Sequence, residues 1–144
     1  MAIGIIWGEI WDEAIWNTAI WAQEAGDTTP DQFTFADRFN VATSTEITSA
    51  PVTITGIDAA ADITVTGGTY SINGGAFTAD AGTVESGDEV RARHTSSASN
   101  STATDTVVTI GGVSDTFTST TAGAANPSET GIISVIVRRT RLLQ

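Results

Sequence analysis

Three glycine pairs, Gly67-Gly68, Gly74-Gly75 and Gly111-Gly112, divide the middle of this chain into short β-branched runs. Glycine accepts the positive φ of a tight turn at no steric cost, so pairs set between alternating apolar segments read as hairpin turns. TYSINGGAFTA (69–79) turns around Asn73-Gly74-Gly75. DTVVTIGGVSDTFTST (105–120) turns at Gly111-Gly112, with Val108 and Ile110 across from Val113 and Phe117. QFTFADRF (32–39) places Phe33 and Phe35 on one face. PVTITGI (51–57) alternates Val52, Ile54 and Gly56. DITVTG (62–67) points Ile63 and Val65 inward, and GDEVRARHT (87–95) follows a Gly-Asp turn. Residues 31–121 hold no helical pattern of three turns. Short strands at regular spacing with turn signals between them predict an antiparallel β-sandwich.

Composition agrees. Only 16% of the 144 residues are charged, against ~25% in an average domain, and Ser, Thr, Asn and Gly supply the polarity instead, which suits strands and turns. The net charge is −11, so binding to phosphate backbones is not expected. All six basic residues are arginines, and Arg138, Arg139 and Arg141 crowd the last seven positions. With no cysteine, neither a disulfide nor a thiolate metal site is available, and a compartment cannot be read from that absence. Glu9, Asp12 and Glu13 interrupt the first apolar run, so neither a secretory leader nor membrane insertion is expected. The expectation is synthesis in the cytosol, or export without a cleaved signal.

Outside the middle, two segments have a different character. All four tryptophans, Trp7, Trp11, Trp16 and Trp21, lie in GIIWGEIWDEAIWNTAIW (4–21), each preceded by isoleucine: Ile6, Ile10, Ile15 and Ile20. Steps of four, five and five do not hold one helix face, which needs steps of three and four. Gly4 and Gly8 weaken the first helical turns by ~1 kcal/mol each. Three readings stay open: a helix buried by several neighbours, a ribbon of short β-like rungs shared between chains, and extra elements packed on the chain's own sandwich. Four indoles are too much apolar surface to leave wet, so under the first two readings residues 1–23 are an oligomerisation or anchoring segment. A linker (24–30) follows, then the sandwich (31–121) and a second linker (122–131). IISVIVRRTRLLQ (132–144) ends the chain as an apolar strand. Ile133, Val135 and Val137, with Arg138, Arg139 and Arg141, are candidate interface residues, completing the chain's own sandwich or adding to a neighbour's sheet.

DTTPDQFTF, PVTITGI, TYSINGGAF and GDEVRARHTSS resemble a bacterial or phage immunoglobulin-like (fibronectin-type) module over about residues 27–121. Ile72 and Phe77 flank the hairpin turn, and Val84 and Val90 are expected core. Such modules occur in tandem in bacterial surface proteins and singly in tailed-phage virion proteins, acting as spacers or weak glycan and surface binders. The Ile-Trp runs are similar to short pentad-like segments of tailed-phage structural proteins. The resemblance implies a fold rather than a chemistry. The antibody-type disulfide and core tryptophan are missing from residues 31–121.

Candidates for chemistry are few. The single histidine, His94, is read as a surface residue at a strand end. Arg91 and Arg93 share a strand face and are expected to pair with Glu85, Asp88 or Glu89. Asp58, Asp62 and Asp80 are candidates for a weak calcium site at the sandwich ends. No catalytic pair and no cofactor are expected. The sequence is best read as a non-enzymatic structural component of a tailed-phage virion: tail tip, collar, fibre or head decoration. It would assemble with itself, a trimer being expected, and with other virion proteins, projecting the sandwich, with host-surface glycans as possible ligands. The alternative is a bacterial cell-surface adhesin or glycan-binding module.

Overall fold

The computed structural model describes residues 25–125. Every regular element among them is a strand: β1 (Arg38–Val41), β2 (Glu46–Thr48), β3 (Val52–Thr53), β4 (Ala61–Thr66), β5 (Thr69–Ile72), β6 (Gly82–Val84), β7 (Glu89–Thr95), β8 (Ala103–Ile110) and β9 (Val113–Thr121). They form two sheets. One runs β1-β9-β8-β4-β6; in the other, β7 pairs with β2 and β3 on one side and β5 on the other. All neighbours are antiparallel except β1 and β9, which run parallel.

The sheets close over one core, giving a sandwich-like fold. Ala61, Ile63, Val84, Val108, Ile110 and Phe117 come from the first sheet, and Tyr70, Val90 and Ala92 from the second. Alternation produces this directly: in β4, Ala61 and Ile63 are buried while Asp62 and Thr64 are exposed. Phe33 and Phe35 both enter the core, rings edge-to-face at 5.9 Å and 76°. Their segment is not a ladder strand. It is tied down piecewise, by Asp31 N–H to Thr55 O and by Phe35 N–H to an Asp115 carboxylate oxygen at 2.7 Å.

Of the three glycine pairs, Gly111-Gly112 joins two ladder strands as expected, whereas the chain that turns back at Asn73-Gly74-Gly75 meets β5 only at the single bridge Tyr70–Thr78 rather than as a second strand. Asn73 and Gly74 have φ of 51° and 73°, and Gly75 N–H closes on Ile72 O at 2.9 Å. Gly111 and Gly112, at 53° and 87°, join β8 to β9. The register there pairs Ile110 with Val113, Val108 with Asp115 and Thr106 with Phe117, so Phe117 faces a threonine rather than a valine or isoleucine.

The third pair differs from expectation. Gly67-Gly68 carries the chain from β4 in one sheet to β5 in the other. A Cβ on Gly68 would lie 2.4 Å from both Arg93 O and the Thr106 hydroxyl, so glycine is needed here for close passage. The run 51–57 also pairs over only Val52–Thr53, because Gly56, at φ 86°, turns the chain beside Asp31.

Candidate functional site

The residues on which assembly is expected to rest, Trp7, Trp11, Trp16, Trp21, Ile6, Ile10, Ile15, Ile20, Ile133, Val135, Val137, Arg138, Arg139 and Arg141, lie outside the described residues. The sites that can be built are on the sandwich-like body.

The most organised polar cluster centres on His94, and it corrects the reading of that residue as a surface group. In β7, Val90, Ala92 and His94 point inward and Arg91 and Arg93 outward. His94 is 6% exposed. Its Nδ1 lies 2.8 Å from the Thr106 hydroxyl and its Nε2 2.7 Å from the Ser119 hydroxyl, both on the opposite sheet. The ring also packs at 4.9 Å on Phe117. Thr106 donates to Gly67 O, so its oxygen is left to accept from Nδ1–H. Nε2 then accepts from Ser119. The chain Ser119, His94, Thr106, Gly67 is thereby satisfied with a neutral imidazole. Burial lowers the His94 pKa from its ordinary value, and Asp105 opposes this to a lesser degree.

A histidine 2.7 Å from a serine hydroxyl has the spacing of a base and its nucleophile. Here Ser119 and Thr106 are wholly buried, so no substrate carbonyl can reach either oxygen. The cluster is a polar pin between the sheets. The period-two pattern of Val90, Ala92 and His94 is the sequence signal that places this ring inside.

Outside the pin, Arg93 lies 4.0 Å over the Phe77 ring and 3.6 Å from Glu46. The expected acids serve elsewhere: Asp88 accepts from Asn73 Nδ2 and from Glu85 N–H, both at 2.8 Å. An open depression of about 230 Å³ lies here, lined by Glu46, Gly67, Gly68, Thr69, Arg93, His94 and Thr95. A second, of about 330 Å³, is lined by Thr28, Ala60, Asp62, Thr64, Thr109, Gly111 and Gly112. Among the described residues no three His, Asp or Glu side chains converge as a metal site would require, so Asp58, Asp62 and Asp80 do not come together. Asp80 instead sits by Tyr70, whose hydroxyl donates to Asp80 O at 3.0 Å. Burial, and then the Asp80 charge, raise the Tyr70 pKa.

Among the described residues, Phe39 is the most exposed of the large apolar side chains, at 68%, on β1 beside Thr120. Neither a protein-family model nor a curated protein matches this chain.

Proposed function

We propose that this chain is a non-enzymatic structural protein of a tailed-bacteriophage virion, in which an immunoglobulin-like body is held between two assembly segments. The observation that carries the reading is where the apolar material goes. The body's buried core is drawn from residues 33–117, while all four tryptophans lie in residues 7–21. A body with its own Phe, Ile and Val core leaves the indoles free for contact with other copies or other virion proteins. Among the described strands, the parallel pairing of the first with the last, at the edge of two facing sheets, supports the immunoglobulin-like description.

The test combines acrylamide quenching of tryptophan fluorescence with light scattering on the full chain. Shielded indoles in an oligomer, together with a folded monomer after deletion of residues 1–23, are the expected results. A monomer with freely quenched indoles sinks the assembly reading and favours a surface module with tryptophans as sugar platforms. An unfolded deletion variant would instead assign the tryptophans to the body's own core.

A further inference from the structure

We propose that Asn73 is a site of spontaneous deamidation, gated by its hydrogen bond to Asp88, and that its conversion unlatches the turn after β5 from the β6–β7 turn. This goes beyond the structural role above and does not depend on it.

The first observation is the reacting pair. Asn73-Gly74 is the one Asn-Gly step in the chain, and Asn73 is exposed. Gly74 brings no side chain to crowd its own nitrogen, and nothing stands within 4 Å of where a Cβ on it would be. Among the described residues its N–H has no acceptor, whereas its neighbours do: Asn73 N–H donates to Glu89 O at 2.8 Å and Gly75 N–H to Ile72 O at 2.9 Å. Attack by the Gly74 nitrogen on Cγ of Asn73 forms an N–C bond and closes a cyclic imide. The Cγ–Nδ2 bond breaks, and Nδ2 leaves as ammonia with the proton from Gly74. Water from the solvent then adds to one of the two imide carbonyls. Opening at one leaves aspartate. Opening at the other leaves isoaspartate, whose backbone runs through the former side chain.

The second observation is what holds the reaction back. Both heteroatoms of the Asn73 amide are engaged with the β6–β7 turn and the start of β7. Nδ2 donates to Asp88 Oδ1 at 2.8 Å, and Oδ1 accepts from Glu89 N–H at 2.9 Å. Held there, Cγ is not free to swing onto the Gly74 nitrogen. Asp88 is itself fixed, since its other oxygen accepts from Glu85 N–H at 2.8 Å. The attack therefore waits on a local opening of this link, not on unfolding of the body. A reaction slower than reclosing tracks the population of the open form.

The third observation is what conversion does to the link. An amide donates through its nitrogen, whereas a carboxylate only accepts. The aspartate product can still take the Glu89 N–H, yet it sets a second carboxylate against Asp88 in a region that already carries Glu85 and Glu89. The isoaspartate product lengthens the backbone between Ile72 and Gly75. The Gly75-to-Ile72 closure and the Asn73-to-Glu89 bond cannot then both be kept. Either product loses the donor to Asp88, and with ammonia gone the change runs one way. Among the described strands β5 pairs only with β7, Ile72 lying opposite Val90, so the loosening falls at that end of the ladder.

The test follows residue 73 in the full-length protein at neutral pH. Peptide mapping by mass spectrometry reads the change from amide to acid, with aspartate and isoaspartate separated. Folded wild type should convert over weeks, several-fold more slowly than the same chain in guanidinium. Asp88→Ala should convert several-fold faster than wild type while still folded. Asp115→Ala weakens the body away from this turn and should stay near the wild-type rate. Asn73→Asp reproduces one product directly. It should speed hydrogen exchange at the residue 73 amide and leave the Gly111 amide unchanged, and it decides the matter should Asp88→Ala fail to fold. The proposal is overturned by a folded wild type that never converts at residue 73, or by equal rates folded and unfolded. It is equally overturned if Asp115→Ala accelerates conversion as much as Asp88→Ala, or if Asn73→Asp exchanges like wild type. The quenching and light-scattering results do not bear on it, so the two readings fail separately.

Discussion

The Ser119 hydroxyl meets Nε2 of His94 at 2.7 Å, joining β9 of one sheet to β7 of the other where solvent hardly reaches. Protonating Nε2 turns this acceptor into a donor. Ser119 must then accept, and its own proton loses its partner in the core. Because the folded His94 pKa lies below its ordinary 6.5, the unfolded chain takes the proton first. The stabilisation is present in full above pH 6.5 and is lost as the pH falls through the folded pKa. The urea midpoint should drop over that window in the wild type. In His94→Gln the drop should be smaller, leaving only what the carboxylates contribute.

Phe117 is wholly buried and stacks on the same ring. Phe117→Ala removes its burial and leaves a cavity, so a loss of about 3–5 kcal/mol is expected in chemical denaturation. Phe117→Leu, which refills most of the space, should cost under about 1.5 kcal/mol.

Asp115 faces inward across from Val108 and accepts from the Phe35 amide. Asp115→Ala strands that amide, at a cost of about 1–3 kcal/mol. Asp115→Asn keeps a carbonyl oxygen in place and should cost much less. Hydrogen exchange at the Phe35 amide distinguishes them: it accelerates in the alanine variant and stays close to wild type in the asparagine one.

Gly111 and Gly112 share positive φ but not surroundings. A Cβ on Gly111 would stand 1.9 Å from Thr28 O, whereas one on Gly112 meets open space. Gly112→Ala should cost only the left-handed penalty of about 1–2 kcal/mol. Gly111→Ala should cost more and should loosen residues 25–30, read as faster proteolysis within that stretch.

Much of the β architecture is legible in the sequence because it is written locally. Alternation in β4 and β7 assigns their inward residues, Asn73-Gly74 marks the turn after β5, and Gly111-Gly112 marks the turn from β8 to β9. Gly67-Gly68 is misread as a hairpin because a hairpin and a crossing between sheets both call for glycine. What decides is the nearness of Arg93 O and Thr106, and neither is close in sequence. Arg93 is assigned the wrong acid for the same reason: Glu46 comes alongside only through the register of β2 on β7. His94 is the instructive case, since the alternation that buries it was visible, while its polarity argued for the surface. The tryptophan and C-terminal apolar residues, on which the proposed assembly rests, are outside residues 25–125.

The pairing of β1 with β9 also has a consequence in time. Its contacts join residues as far apart as 81 positions, and among the described residues β1 has no other strand partner. On a growing chain, residues 33–41 emerge early and must wait for β9 before their ladder can form. Non-local contacts of this kind slow folding. During synthesis the first forty residues, with all four indoles among them, therefore precede the strand that closes the body over Phe33 and Phe35. Those indoles are therefore synthesised while β1 still lacks the strand it pairs with.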